Sequence, residues 1–499
     1  MKSDVATSIT KNTSVMMGSQ MITWVSSFVL MLFLPRYLGS EDYGKLYLAI
    51  SIGTMFQIVI DFGGNYLIPK GVARCPEDAS QLATNCVGVR MVLWFGSLVT
   101  MAILGHFAGY TAEVQILIII LGIAKLWECV GGVFRNCIQG FEAMEYSSIA
   151  AIGERVVLML AAVTALVLGA HSVIIAVIMA ISTLVGSALN FRYFRRFVPR
   201  MGRIQWDAVK MLMKRGLPYF LYSVFATIYY RIDAVMLSLM VPGVVVGWYG
   251  AAHRFFDIFM FLPSIFTTAI FPILSRLSMK EDETQVQTTT KSIEFIVLAG
   301  IPISVIVFGY AEHVIQFFFG LQEYAPSVTI LKIFSLGLLL VYIDMVLGTT
   351  LFATDKQRQW TVVAFAALLL NPIMNYFMIP YTQTHLSNGG IGAAIATLIT
   401  ELAVFIAAVA LVPKSILGAL NIPVLLKGAA AGGLMAISAA LMTHSGIPWM
   451  GQGMIACGIY VLSLLLSKTL NPKEIGFLKR FFSLRNLRRV FFPEKEFVS

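Results

Sequence analysis

Charge is what this sequence has least of: 12% of its 499 residues are Asp, Glu, Lys or Arg, about half the roughly 25% share of a soluble domain. With 58% hydrophobic residues and a mean hydropathy of +0.81, that shortfall implies a polytopic membrane protein. No long hydrophilic insert breaks the apolar runs, so no soluble catalytic domain is expected. Cysteine is also scarce. Cys75, Cys86, Cys129, Cys137 and Cys457 are odd in number and fall in apolar runs or inner loops, the placing of small core residues rather than of a disulfide framework. A leader cleavage site is missing too. The 24 uncharged residues after Lys11 (12–35) are too long for a signal core and are expected to form the first span.

Nucleotide and metal chemistry find little footing. GSEDYGKL, Gly39 to Leu46, ends in Leu where a phosphate loop needs Ser or Thr for magnesium, follows an apolar run instead of a strand, and carries Glu41 and Asp42. Transport must then draw on a gradient, on an energised substrate supply, or on downhill flow. His106, His171, His253, His313, His385 and His444 lack zinc-site spacing. The outer loops are too short to house the pocket of a glycan polymerase or ligase.

What is present is a series of fourteen apolar runs, each near the 20 residues a helix needs to cross a bilayer. They fall at 14–35, 46–69, 91–111, 114–134, 147–169, 172–191, 216–240, 247–273, 295–319, 327–353, 361–380, 391–412, 428–443 and 451–467. Residues 156–191 lack charge throughout and read as a hairpin turning at Gly169-Ala170-His171-Ser172. With the N-terminus inside, 30 of the 36 Lys and Arg lie in inner segments, so the positive-inside rule places both termini in the cytoplasm of a cell-membrane protein. The net charge of +10 is explained by that placement and not by nucleic acid.

The pattern divides into a six-span lobe (1–191), a basic cytoplasmic linker (192–215), a second six-span lobe (216–412), two further spans (413–470) and a basic cytoplasmic tail (471–499). The linker holds eight basic residues and one acid, and Trp206, Val209 and Met213 share one helical face within it. It is expected either to lie along the inner leaflet or to be a solvated loop. A faint repeat joins the lobes. YGKLYLAISI…YLIPKGVAR and VGWYGAAHRF…AIFPILSRL both set a proline 25 residues after a glycine, Gly44 to Pro69 and Gly247 to Pro272, and imply a shared helix break. Gly428 and Gly432 form a small face suited to close helix packing. In the tail, KEIGFLKRFFSLRNLRRVFF reads as an imperfect interfacial amphipath, because Arg488 shares a face with Phe477 and Phe481.

Charges inside the spans carry the functional signal, since an ionisable group at the bilayer centre costs roughly 2.5–3.5 kcal/mol on insertion scales and turns toward a partner or a watery cavity. Arg231 and Asp233 are two apart and point to different helix faces; Arg254 and Asp257, like Lys125 and Glu128, are three apart and able to pair locally. Two readings stay open: cations that meet an anionic substrate, with Arg suited to phosphate by its planar fork, or ion pairs that hold spans together. Asp61, before Phe62-Gly63-Gly64, is a candidate for ion coupling or gating, as are Asp257 and Glu401; Lys332 and Asp344 are equally ambiguous.

Several segments, in this order, resemble the polysaccharide-exporter branch of the multidrug/oligosaccharidyl-lipid/polysaccharide superfamily, the Wzx-type O-antigen flippases. They are RYLGSEDYGKLYLAISI (36–52), IQGFEAMEYSSIAAIGERV (138–156), the run from RGLPYF to VGWYGAAHRF (215–255), FPILSRL (271–277) and the stretch from LFATDKQRQW through LLLNPIMNYFMIP to GGIGAAIATLITE (351–401). The resemblance implies an all-α fold of about fourteen transmembrane helices, with two six-helix lobes in a V around a central cavity plus two C-terminal helices. It implies a transporter, not an enzyme, whose cargo is a polyprenyl-pyrophosphate-linked oligosaccharide of an O-antigen, capsule or exopolysaccharide. By that likeness Arg231 and Arg254 are candidates to bind the pyrophosphate, with Asp233 at the family's intramembrane Asp position; Lys125, as an intramembrane cation, is a further substrate-binding candidate. No cofactor is implied beyond a coupling ion, Na+ or H+; membrane lipids and polysaccharide polymerase machinery are the expected partners.

Fourteen spans also resemble the lipid II flippases, in which the extra pair lines a groove for the lipid tail. This sequence departs from them in having no arginine within its first span, which argues against a peptidoglycan role. A cation-coupled multidrug antiporter of the same superfamily is the main alternative, and a membrane glycan polymerase a weaker one.

Overall fold

The computed structural model describes residues 2–278, 283–443 and 445–469; His444 and the expected amphipath of the tail lie outside them. The described residues are helical and gather into two units, the first running to Arg231 and the second from Ile232. In the first unit are α1 (Lys2–Asp61), α2 (Gly64–Arg74), α3 (Ala79–Phe107), α4 (Ala112–Gly140), α5 (Met144–Val167), α6 (Ser172–Phe197) and the start of α7 (Trp206–Met240). The second holds the end of α7, then α8 (Gly243–Phe259), α9 (Phe261–Ser278), α10 (Glu283–Gly309), α11 (Ala311–Phe318), α12 (Leu321–Tyr324), α13 (Ser327–Ala353), α14 (Gln357–Leu386), α15 (Gly389–Leu411), α16 (Lys414–Ala419), α17 (Ile422–Met442) and α18 (Trp449–Leu466).

Among the described residues twelve helical stretches are long and apolar enough to cross a membrane. They correspond to the fourteen runs for two physical reasons. The stretch Ser19–Asp61 holds the first run and most of the second, separated where Gly39 takes φ +73 and ψ 170. Run eight is broken at Met260 into α8 and α9, of which α8 is 17 residues long. The hairpin expected at 169–172 is present, with Gly169 at φ +83 between α5 and α6.

The shared helix break needs a correction. Pro69 lies inside α2, and the break stands seven residues earlier, where Phe62 (φ 46) and Gly63 (φ 76) take left-handed backbone. Glycine enters that region at little cost, so Asp61-Phe62-Gly63-Gly64 and not the proline ends α1. The matching segment breaks at Met260, at a different register from its glycine.

The linker is also reassigned. α6 runs on to Phe197, α7 starts at Trp206, and the short stretch between them is docked on α3. There Ser80 Oγ donates to the Arg200 carbonyl (2.8 Å), Gln81 to the Arg203 carbonyl, and the backbone amides of Gly202 and Gln205 donate to Thr84 (2.9 Å) and Asn85 (2.9 Å). Trp206, Val209 and Met213 do share a face, on α7.

α4 and α13 are the central helices of their units. α4 packs on α1, α2, α3 and α6; α13 packs on α8, α9, α10 and α15. The two C-terminal spans join the second unit through α10. A Cβ on Gly428 or Gly432 of α17 would come 2.5 Å from a side-chain methyl of Leu298 or Ile301, so the glycines let α17 and α10 approach without those side chains shifting, and Tyr460 of α18 donates to the Leu298 carbonyl (2.8 Å). GSEDYGKL is an ion-pair hub: Lys45 Nζ lies 3.1, 3.0 and 2.8 Å from Glu41, Asp42 and Glu113. Glu113 also accepts from Ser172 (3.0 Å), tying α1, α4 and α6 together.

Candidate functional sites

Each unit contains a polar cluster, half-buried in the first and buried in the second. In the first, Gln57 and Asp61 stand one helical turn apart on α1 and meet α4 and α3. Lys125 Nζ donates to Gln57 Oε1 (2.8 Å) and to Glu128 Oε2 (2.7 Å), while Gln57 Nε2 donates to Glu128 Oε1 (2.7 Å). The ring is closed and its charges cancel. Beside it Arg90, 2% exposed, donates to the Asp61 carboxylate and to the Cys129 carbonyl. Asp61 also accepts from the Asn65 amide (3.2 Å), and Asn65 accepts from Asn136 (2.8 Å). The cluster therefore reaches across the Phe62–Gly63 break and ties both of its sides to α3 and α4.

Lys125 and Asp61, both singled out from the sequence, thus belong to two neighbouring hydrogen-bonded groups on the same helices. Arg90 was missed because the third run was started at residue 91. Its helix begins at Ala79, just after Cys75-Pro76-Glu77-Asp78, a proline and two acids that signal a helix start.

The second cluster is built around Asp233 of α7, which is buried. Its Oδ2 accepts from the Tyr249 hydroxyl of α8 (2.7 Å) and the Thr397 hydroxyl of α15 (2.7 Å), and its Oδ1 accepts from Asn375 Nδ2 of α14 (2.6 Å). Asn375 Nδ2 donates as well to Asn371 Oδ1, one turn away (2.8 Å). All of these donors are neutral, and among the described residues no basic side chain is bonded to Asp233. Asn375 Oδ1 and Asn371 Nδ2 are buried and make no hydrogen bond among the described residues. Such a site can offset its negative charge by holding a small cation.

The donor set bears on which cation fits. Among the described residues no three of His, Cys, Asp and Glu converge, so soft-metal ligation has no basis here. Asp233, Thr397 and Asn375 offer hard oxygen donors of one formal charge, which suit a monovalent ion better than a divalent one.

Arg231, half-buried, belongs to the first unit and lies 5.1 Å from the Tyr230 ring centroid. Arg254 is half-buried on α8. Asp257 Oδ1 is 3.5 Å from His253 Nδ1, which itself stacks near Tyr249 and Phe334. Glu401 is buried on α15, one turn beyond Thr397. Lys332 lies 5.9 Å from the Phe308 ring. The second unit also carries a half-open apolar pocket of about 570 Å³ between α10, α13 and α17, lined by Ile301, Val305, Phe308, Leu336, Leu339 and Ala439.

A family model described as polysaccharide biosynthesis protein matches residues 9–278, and one described as MatE matches residues 218–377. No curated protein matches the chain in sequence. Among solved structures, the lipid II flippase MurJ in an inward closed conformation is similar with a TM-score of 0.70 and 15% identity, covering 92% of this chain and 99% of that one. An inward-facing multidrug resistance MATE family transporter of the MOP superfamily gives 0.55 and 15%, covering 80% and 94%. The MATE multidrug transporter DinF-BH, solved in a complex, gives 0.56 and 17%, covering 81% and 93%. At these identities the likeness is one of fold: an all-helical membrane protein of the MATE and MurJ kind.

Proposed function

This chain belongs to the polysaccharide biosynthesis protein family of the MOP superfamily, and we propose that it is a flippase for a polyprenyl-pyrophosphate-linked oligosaccharide. In this reading it moves the repeat unit of an O-antigen, capsule or exopolysaccharide from the cytoplasmic to the outer leaflet by alternating access, with both termini cytoplasmic. The observation that carries it is the family match over residues 9–278. Further support comes from the fold, since the likeness to a lipid II flippase extends over 92% of this chain while the two multidrug transporters cover about four fifths.

The physics of the cargo fits. A sugar and a pyrophosphate cannot cross about 30 Å of hydrocarbon unaided, whereas an isoprenoid tail is at home there. A protein need shelter only the head. Arg231 and Arg254 are the cations assigned to the pyrophosphate, since a guanidinium can give phosphate two parallel hydrogen bonds, while Lys125 is held by Glu128 and Gln57. The apolar pocket between α10, α13 and α17 is assigned to the tail. Asp233 is assigned to a coupling ion rather than to the substrate, since its carboxylate is enclosed by Tyr249, Asn375 and Thr397. Asp61, bound to Arg90 beside the Phe62–Gly63 break, and Asp257, beside His253, are assigned to gating. Delivered units would be joined by a polymerising machinery on the far side.

Depletion of the protein in cells tests this directly. Lipid-linked repeat units should accumulate in a form protected from glycosidase added outside, while surface glycan falls. Accumulated units that remain open to the added enzyme would overturn the reading. The MatE match over 218–377 favours a second reading, a cation-coupled multidrug antiporter, which predicts drug sensitivity on depletion and no change in surface glycan.

A further inference from the structure

The stretch between α6 and α7 is pinned by its backbone and leaves its cations free. Hydrogen bonds to Ser80, Gln81, Thr84 and Asn85 of α3 hold residues 200–205, and a Cβ on Gly202 would come 2.6 Å from the Gln81 side-chain oxygen and 3.4 Å from its Cα. A solvated loop would not be held in this way. Residues 200–214 carry Arg200, Arg203, Lys210 and Lys214 against one acid, Asp207, and all five are exposed. Lys210 lies 3.9 Å from Asp207 in a pair with both side chains in the open, which is worth little. The side chains of Arg200, Arg203 and Lys214 make no ion pair or hydrogen bond among the described residues.

Beside these cations the docking leaves a cleft of about 170 Å³, walled by Gly88, Val89 and Val92 of α3, by Ile204, and by Trp206 and Met213 of α7. Gly88 lets Ile204 lie against α3, since a Cβ there would come 2.9 Å from Ile204 Cδ1. The cleft stands at a membrane boundary, because the apolar runs of the two helices begin at Met91 and Gly216. It opens outward, with Val92 67% and Trp206 70% exposed. Further along, Phe95 and Val99 follow Val92 on one face of α3, and Leu217 and Leu221 follow Lys210 and Lys214 on one face of α7; all four apolar side chains are exposed. Cations, a boundary tryptophan and two apolar stripes are thus set in that order. That order matches an anionic headgroup carrying hydrocarbon chains.

We infer that this cleft binds an anionic phospholipid, its headgroup phosphate meeting Arg203, Lys210 and Lys214 and an acyl chain running from the cleft along Val92, Phe95 and Val99. A phospholipid suits it better than a lipid-linked sugar. The cations are spread along an exposed surface, and apart from the Trp206 indole N–H the lining offers a glycan no polar side chain. The site also reaches the break in the first unit. Val89 and Met213 wall a second, smaller pocket with Asp61, Phe62 and Arg90, a Cβ on Gly216 would come 2.6 Å from the Phe62 carbonyl, and Phe220 stacks on Phe62 with ring centroids 4.4 Å apart. A lipid that holds the start of α7 on α3 therefore holds α7 on the Phe62–Gly63 break as well. Movement of the break loosens the lipid site in turn, since such coupling is reciprocal.

This inference goes beyond the flippase reading and its test measures no transport, so the two stand or fall separately. The full-length protein in detergent would be titrated with phosphatidylglycerol, with phosphatidylcholine of the same chains, with a polyprenyl pyrophosphate and with inorganic phosphate, and its melting temperature followed. Phosphatidylglycerol should raise it; phosphatidylcholine and inorganic phosphate should not. The triple variant Arg203→Gln, Lys210→Gln, Lys214→Gln changes exposed side chains alone, and should need at least about tenfold more phosphatidylglycerol for half of its rise. Val92→Trp keeps the cations and fills the cleft, and should lose the response too; each variant is compared with its own lipid-free melting temperature. Hydrogen exchange with phosphatidylglycerol bound should slow at residues 62–67 as well as at 200–213. Equal effects of the two phospholipids, an equal effect of inorganic phosphate, or a full response in both variants would overturn the inference. So would a polyprenyl pyrophosphate that displaces phosphatidylglycerol and binds more tightly, since the cleft would then be an entry site for substrate. Slowing confined to 200–213 would overturn the link to the break.

Discussion

Asn375 donates its side-chain amide to Asp233 over 2.6 Å, linking α14 to α7 across 142 residues of chain. The bond joins two buried groups and leaves Asn375 Oδ1 without a partner among the described residues, beside a carboxylate whose other partners are neutral hydroxyls. That geometry sets the first expectation. Na+ should raise the melting temperature of the wild-type protein in detergent, since a ligand at 100 times its Kd contributes about 2.7 kcal/mol. Asp233→Ala should abolish the response, and Asn375→Ala should weaken it and lower stability by roughly 1–3 kcal/mol through the lost charge-assisted bond. A variant that keeps the full wild-type response would remove Asp233 from any ion site.

Arg90 and Asp61 give a prediction about stability. Removing one member of a buried pair leaves a charge uncompensated, at about 3–5 kcal/mol, so Arg90→Met and Asp61→Asn should each cut the yield of folded protein sharply. The double variant should lose much less than the sum of the two. Additive losses in a thermal-stability cycle would mean that the pair is not coupled.

Close approach of α14 and α15 gives another. A methyl group on Gly392 would overlap the Met378 carbonyl, a backbone atom that cannot rotate away. Overpacking of this kind costs typically about 1–3 kcal/mol, and the helices so displaced carry Asn375 and Thr397. Gly392→Ala should therefore lower the melting temperature and the cation response together. By contrast, Gly433→Ala meets nothing within 4 Å and should leave both as they are.

Much of the fold was legible in the sequence, because the bilayer imposes length and apolarity on every crossing helix. The Gly169 turn and the small face of α17 follow from residue type alone. The helix break was misplaced at Pro69 because proline draws attention in a helical run, whereas Phe62-Gly63 breaks the chain through left-handed backbone that leaves no charge or ring as a signal. The sites were half visible. A search for charges finds Asp233, Asp61 and Lys125 but passes over Asn371 and Asn375, whose spacing of four in LLLNPIMNYF puts two amides on one helical face. Which distant helices meet is set by tertiary packing, and nothing in one sequence states that Asp233 meets residues 142 and 164 positions away.

The central claim concerns movement of a lipid-linked glycan, so the most direct measurement is flipping in proteoliposomes. Purified protein would be reconstituted with a fluorescent polyprenyl-pyrophosphate oligosaccharide, and an impermeant quencher would report which leaflet it occupies. Wild type should expose the probe in a protein-dependent way, and Arg231→Ala or Arg254→Ala at matched protein levels should slow it about tenfold or more, the loss of a charge-assisted phosphate contact worth roughly 1.5–3 kcal/mol. Folded wild-type protein that moves no such probe, with or without an ion gradient, would contradict the account.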